Sequence, residues 1–369
     1  MTGIICPHPL IPSPRGRGEI GYIALARACP PLAGKRAEYL LRRISKYRVR
    51  AFTFIILLLA LSGMAGAGAL DISQFGMGAR AIAMGKAQAA AQDPASIFIN
   101  PANAKAIDQF SATSMYSNLA EDLNFSELGL VFPIREGSLG TAGISYLGST
   151  LSGMQATSLD ANGRTYPVSS FDYGSKLLIL GYGKTVAPNV SAGGLLKIFS
   201  KSFEGIQGGS GTGADIDLGF NYYPRDNLVL GAILQNILPQ WLSSIGWGTG
   251  LAEDIPFNIK VGGAYTPITD LLMLADYDSS GILHFGTEYW IRKNLALRGG
   301  LEDLSNSLNF SAGAGVKYAG FSFDYAYCVD VSVWSNSAHY FSIGYELPHK
   351  TFESRPIMPA NRMDNNAYL

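Results

Sequence analysis

Between Phe110 and Leu347, apolar residues alternate with small or polar ones in segments of about ten residues, each rich in Tyr, Phe, Val, Leu and Gly. A period of two sends successive side chains to opposite faces, so each segment reads as a β-strand. The first seven are Phe110 to Asn118, Ser126 to Pro133, Leu139 to Leu147, Asp172 to Val186, Val190 to Phe203, Ala214 to Tyr223 and Asn227 to Asn236. The next seven are Phe257 to Thr266, Leu271 to Asp278, Ile282 to Ile291, Leu295 to Glu302, Leu308 to Tyr318, Phe321 to Val329 and His339 to Leu347.

The connections carry the stronger signal. Every second one is a tight turn: IREGS, VAPN, YPRDN, TPITD, WIRKN and the break at Gly320. Those between are usually longer, among them Gly148 to Phe171, Glu204 to Gly213 and Ile237 to Pro256. Short turns at one end and long loops at the other are the mark of an outer-membrane barrel, so the expected fold is all-β, a 14-stranded antiparallel transmembrane β-barrel over residues 109–347. An even strand number places both chain ends in the periplasm. A soluble β-sandwich is the competing architecture, but it would not usually expose so many aromatics on one strand face.

Alternation also assigns faces. Ile216, Leu218, Phe220 and Tyr222 share one parity and should face lipid, while Asp215, Asp217, Gly219 and Asn221 face the lumen. Likewise Phe257, Ile259, Val261 and Tyr265 point outward with Asn258 and Lys260 inward, and Phe321, Phe323, Tyr325 and Tyr327 outward with Ser322 and Asp324 inward. Glu288 and Arg298 fall inward on one hairpin, joined by Asp276, Glu302 and Lys317. The lumen is expected to be polar and charged, and ion pairing that fills it is favoured over a solute track.

Upstream, LRRISKYRVR precedes AFTFIILLLALSGMAGAGA, a basic, then apolar, then small-residue order that reads as a signal peptide over residues 46–69, with Ala65-Gly66-Ala67 and Ala67-Gly68-Ala69 as cleavage sites. A transmembrane anchor is the alternative, but its second half is too rich in Gly and Ala. Residues 1–45 show no structural period and read as an extraneous N-terminal extension from an upstream start codon. Residues 348–369 form a polar tail, expected in the periplasm.

Composition narrows the function. Of 369 residues, 47% are hydrophobic and 15% charged, too apolar for a disordered chain. Residues 1–67 hold 10 of the 28 Lys+Arg and 2 of the 28 Asp+Glu, leaving 18 basic against 26 acidic, a net charge of −8. An acidic body offers no basic stripe for a phosphate backbone, so no nucleic acid is expected as partner. Cys328 is alone in the body, and His284, His339 and His349 have no spacing that joins them to a nucleophile or a metal cluster. No enzyme, cofactor or metal is therefore expected.

Residues 70–108 alternate poorly and are rich in alanine. Asp93-Pro94 and Asn100-Pro101 each place a side-chain acceptor before a proline, which suits the opening of a helical turn. The segment reads as short helices plugging the barrel, because as a periplasmic arm it would leave Phe75, Met77, Ile82, Met84, Ile97, Phe98 and Ile99 in water. Its stretch GARAIAMGKAQAAAQDPASIFINPANA resembles the plug signature of the FadL-like superfamily, particularly its PorV/PorQ branch. The matching residues are Gly78, Arg80, Met84, Gly85, Asp93, Asn100, Pro101 and Ala102. ADIDLGFNYYPRDNLVLGAILQN, IPFNIKVGGAY and HFGTEYWIRKNLALRGG look like strands of the same branch, so the resemblance covers Leu70 to Leu347. The chain departs at Lys86, where the family usually has a second glycine, and at its polar C-terminal tail.

The resemblance implies one of two roles in the outer membrane, beside its lipid. FadL-like members pass hydrophobic small molecules from outside into the barrel and out through its wall, whereas PorV-like members bind and hand over secreted proteins in type IX secretion. Uptake or capture of hydrophobic ligands through a plugged barrel is the primary expectation. An apolar pocket at the outer mouth would then come from Trp241, Leu242, Ile245 and Trp247, with Ile237, Leu238 and Leu251 beside them. The same loop could instead pack on itself, lie at the lipid interface, or bind a folded partner.

Overall fold

A computed structural model describes residues 72–119, 123–302, 307–331 and 337–347. The expected extension, signal peptide and polar tail lie outside these residues.

Sixteen strands occur among the described residues: β1 (Ser111–Leu119), β2 (Leu123–Pro133), β3 (Thr141–Leu159), β4 (Thr165–Ala187), β5 (Val190–Glu204), β6 (Ser210–Arg225), β7 (Leu228–Gln235), β8 (Ser244–Trp247), β9 (Ala252–Asp254), β10 (Asn258–Ile268), β11 (Leu271–Asp278), β12 (Leu283–Arg292), β13 (Leu295–Glu302), β14 (Asn309–Tyr318), β15 (Phe321–Asp330) and β16 (Ser337–Glu346). Each barrel strand pairs antiparallel with its neighbours. β1 meets β16 through Ser111↔Glu346 and β5 meets β6 through Val190↔Tyr222, which closes the sheet on itself. Setting aside the small β8–β9 hairpin, the closed barrel has fourteen strands, as the alternation predicts. Within the closed part of the sheet no strand is left with an unpaired edge.

Two connections differ from expectation. Residues 148–171 are not a loop: β3 and β4 run on past their neighbours, with β2 leaving β3 at Leu151 and β5 leaving β4 at Asp172. The Ser-, Thr- and Gly-rich sequence of this ribbon hides the strands because both faces meet solvent there and no apolar face is required. Residues 237–256 contain the β8–β9 hairpin, which joins β6 through Gly211↔Trp247 and Thr212↔Gly246.

The faces follow the predicted parity on β6 and β15. Asp215, Asp217 and Asn221 are buried, while Phe220, Tyr222 and Phe323 are exposed. Leu128, Tyr146, Leu196, Leu230, Phe285 and Ile343 extend the exposed apolar surface around the barrel.

The expectation of a polar and charged lumen holds for part of the interior only. On β2 to β5 the buried inward residues include Phe125, Leu147, Leu177, Ile179, Leu195 and Phe199, so that part of the interior is apolar. Buried charges stand on β5 and β6 (Lys197, Lys201, Asp215 and Asp217) and on β11 to β13 (Asp276, Asp278, Glu288, Arg298 and Glu302), with Glu127 on β2. In β4 the run Leu177-Leu178-Ile179-Leu180 is apolar in both parities, so parity alone does not tell that Leu177 and Ile179 are the buried pair.

Candidate functional site

Residues 72–108 lie against the inward side of the strands. They comprise 3-10 turns at Ile72–Phe75, Ala95–Phe98 and Pro101–Ala106 and one α-helical turn at Ala79–Ile82. Met77, Met84, Ile97, Phe98, Asn100 and Ala102 are all fully buried. Asn100 opens its turn by accepting from the Ala102 backbone N at 3.0 Å, with Pro101 as first residue. Asp93 Oδ1 accepts from the Ser96 backbone N at 3.1 Å in a similar local turn.

Close approach to the wall is made possible by glycines in it. A Cβ at Gly193 would lie 2.7 Å from Pro101 Cβ, one at Gly219 would lie 2.7 Å from Pro101 Cδ, and one at Gly286 would lie 2.6 Å from Met84 Cβ. Real side chains do not come this close, so the missing side chains form the seat. In the segment itself, Gly85 has φ +64° and touches the backbones of β12 and β13. Lys86 follows at φ +61°, a conformation that favours glycine and explains why the resembled pattern has one there. Its ammonium pairs with Glu302 at 2.9 Å.

Polar groups fix the segment at several places besides the Lys86–Glu302 pair. Arg80 bridges Asp93 (2.6 Å) and Glu288 (2.8 Å), and Arg298 joins Glu288 and Asp324 at 2.7 Å each. Burial opposes the Arg80 charge, but Glu288 and Asp93 together outweigh it and hold the guanidinium above its ordinary range. Secondly, Asp276 accepts from the backbone N of both Gln88 and Ala89 at 2.7 Å. Thirdly, Asn100 Nδ2 donates to Asn221 Oδ1 at 2.9 Å, and Asn221 Nδ2 donates to Asn103 Oδ1 at 2.7 Å.

Other candidates lie apart from this contact. Asp217 pairs with Lys197 at 3.0 Å and accepts from the Asn236 backbone N at 2.8 Å. Asp215 accepts from Leu238 N at 3.1 Å and from the Ser243 hydroxyl, so these two carboxylates tie the 236–257 loop to β6. Lys260 stands 3.4 Å from His284. Lys317 pairs with Glu346 at 3.3 Å and is half exposed at the end that carries the short turns. At that end a cavity of about 320 Å³ is lined by Arg80, Asp93, Glu288, Trp290, Lys317 and Asp324, among others.

The four outer-mouth candidates do not form one pocket. Ile245 is fully buried and Trp247 stacks on Phe203 at 5.4 Å, while Trp241 (77%) and Leu242 (47%) are exposed. Half the loop packs inward because β8 pairs with β6 and turns those side chains toward the interior. Sequence reading missed Lys197, Lys201 and Glu127, though each shares an inward parity with recognised core residues. Among the described residues no group of three or more His, Cys, Asp or Glu side chains is arranged to hold a metal ion.

No family model and no curated protein matches the chain. Solved structures do. The Pseudomonas putida toluene transporter TodX aligns at 14% identity with a TM-score of 0.55, over 76% of this chain and 99% of that one. The monoaromatic hydrocarbon channel CymD aligns at 13% identity and TM-score 0.57, over 76% and 100%. The fold is the one these hydrocarbon channels share. The Ralstonia pickettii toluene transporter TbuX agrees, at 14% identity and TM-score 0.53, over 74% and 99%. None of these neighbours brings the PorV/PorQ branch with it.

Proposed function

We infer that the chain is an outer-membrane channel for small hydrophobic molecules, closed at rest by residues 72–108. The short turns then face the periplasm and the long β3–β4 ribbon the exterior. The observation that carries this reading is the division of the interior: Phe125, Leu147, Leu177 and Ile179 line an apolar face along β2 to β4, whereas the charged anchors sit across the lumen on β11 to β15. Withdrawal of the segment would uncover that apolar face, a path that favours apolar solutes over ions. The likeness to toluene and monoaromatic hydrocarbon channels supports the same ligand class. No observation favours type IX secretion, and no constellation among the described residues favours catalysis. Uptake of radiolabelled toluene by intact cells making the full chain tests the reading: it should exceed that of cells with empty vector, and equal rates would refute it.

A further inference from the structure

In the apolar part of the lumen one carboxylate is out of place. Glu127 points inward from β2 at 3% exposure among Phe98, Phe125, Met115 and Leu147, all buried. Its Oε1 accepts from Thr113 Oγ1 at 3.0 Å, and the Gly78 backbone N–H also faces the group. Its Oε2 has no hydrogen-bond partner, and no cation pairs with it among the described residues. Beside it runs the register row Thr113↔Gly129↔Ser145, in which the buried Ser145 hydroxyl also has no partner. A buried polar group without a partner is costly, so an unexplained pair of them calls for a function.

What lies over this row is an aromatic ring. A Cβ at Gly129 would be 2.7 Å from Phe98 Cε2 and one at Gly143 2.8 Å from Phe98 Cε1, so two wall glycines form a slot that the ring of Phe98 fills. The Glu127 Oε1 atom borders the same slot, 3.3 Å from that Gly129 position. Phe98 belongs to the N-terminal segment and has no donor to offer the carboxylate.

We propose that the Gly129–Gly143 slot is a binding site for a ring-sized apolar ligand that carries one hydrogen-bond donor, such as a phenol, and that Glu127 selects for that donor. Such a ligand takes the place of the Phe98 ring and adds the bond that Phe98 cannot make. The inference rests on the channel reading above and narrows its ligand class from plain hydrocarbons to donor-bearing rings.

The test is calorimetric titration of the full chain in detergent micelles, corrected for empty micelles, with toluene, p-cresol and 4-methylanisole. The three share ring size, and only p-cresol donates. One added hydrogen bond of ordinary strength corresponds to a preference of about three- to tenfold, so p-cresol should bind several-fold more tightly than the other two. Glu127→Met should erase that preference, so that p-cresol and 4-methylanisole bind equally to the variant, and Phe98→Ala should strengthen p-cresol binding. Equal wild-type affinity for the three rings would overturn the donor site yet leave the channel reading intact. Absence of binding by any ring would count against both. Should Glu127→Met fail to show the heat-dependent gel mobility of a folded barrel, the wild-type comparison of p-cresol with 4-methylanisole still decides.

Discussion

Asn100 and Asn221, 121 positions apart in sequence, meet side chain to side chain inside the barrel, with Asn100 Nδ2 donating to Asn221 Oδ1 at 2.9 Å. The same Asn100 amide also donates to the Ala89 carbonyl, while its oxygen caps the turn that follows. Capping and wall contact are thus done by different atoms of one side chain. Asn100→Asp keeps the cap but loses both donations and places a charge at a fully buried position. The expected cost is about 1–3 kcal/mol or more, read as a lower urea midpoint. A midpoint equal to wild type would show that only the cap matters.

The wall glycines give a second expectation. Gly286→Val brings a side chain onto Met84 and should displace the segment, making residues 72–108 more sensitive to limited proteolysis. Gly299 has open space where a Cβ would stand, so Gly299→Ala should be tolerated. Similar proteolysis of both variants would mean that the glycines do not seat the segment.

Arg80 links a carboxylate of its own segment to one on β12. Arg80→Met leaves Asp93 without its cation, whereas Glu288 keeps Arg298. Breaking a buried pair by removing one partner costs roughly 3–5 kcal/mol, reduced here because Arg80 and Asp93 are partly exposed. Arg80→Lys should recover only part of the loss, since an ammonium does not reproduce the two-sided guanidinium contact. Full recovery by lysine in urea unfolding would reduce the contact to simple charge.

The outer face is tested by charge insertion. Phe323→Arg on the exposed parity of β15 should destabilise by about 2–4 kcal/mol in lipid, and Ser322→Arg on the inward parity by less. Equal effects would mean that the register is shifted by one residue.

The strands were legible where one face is apolar and the other is not, as in β6, where Asp215, Asp217 and Asn221 alternate with Leu218, Phe220 and Tyr222. Legibility failed in the β3–β4 ribbon, where both faces meet water. Of the segment, the Asn100-Pro101 cap is a local pattern and could be read. Its partner Asn221 could not, because parity says which way a side chain points and not which residue it meets. Trp241 and Ile245 differ for a related reason: a short pairing with β6 turns one half of the loop inward, and nothing in their shared apolar character distinguishes them.

The central claim, that residues 72–108 close the lumen, is tested most directly by single-channel conductance in planar bilayers of the full chain and of Gly286→Val. The account predicts a wild-type barrel that passes little ionic current and a variant that leaks steadily. Equal conductance of the two, with the segment shown to be displaced by proteolysis, would contradict it.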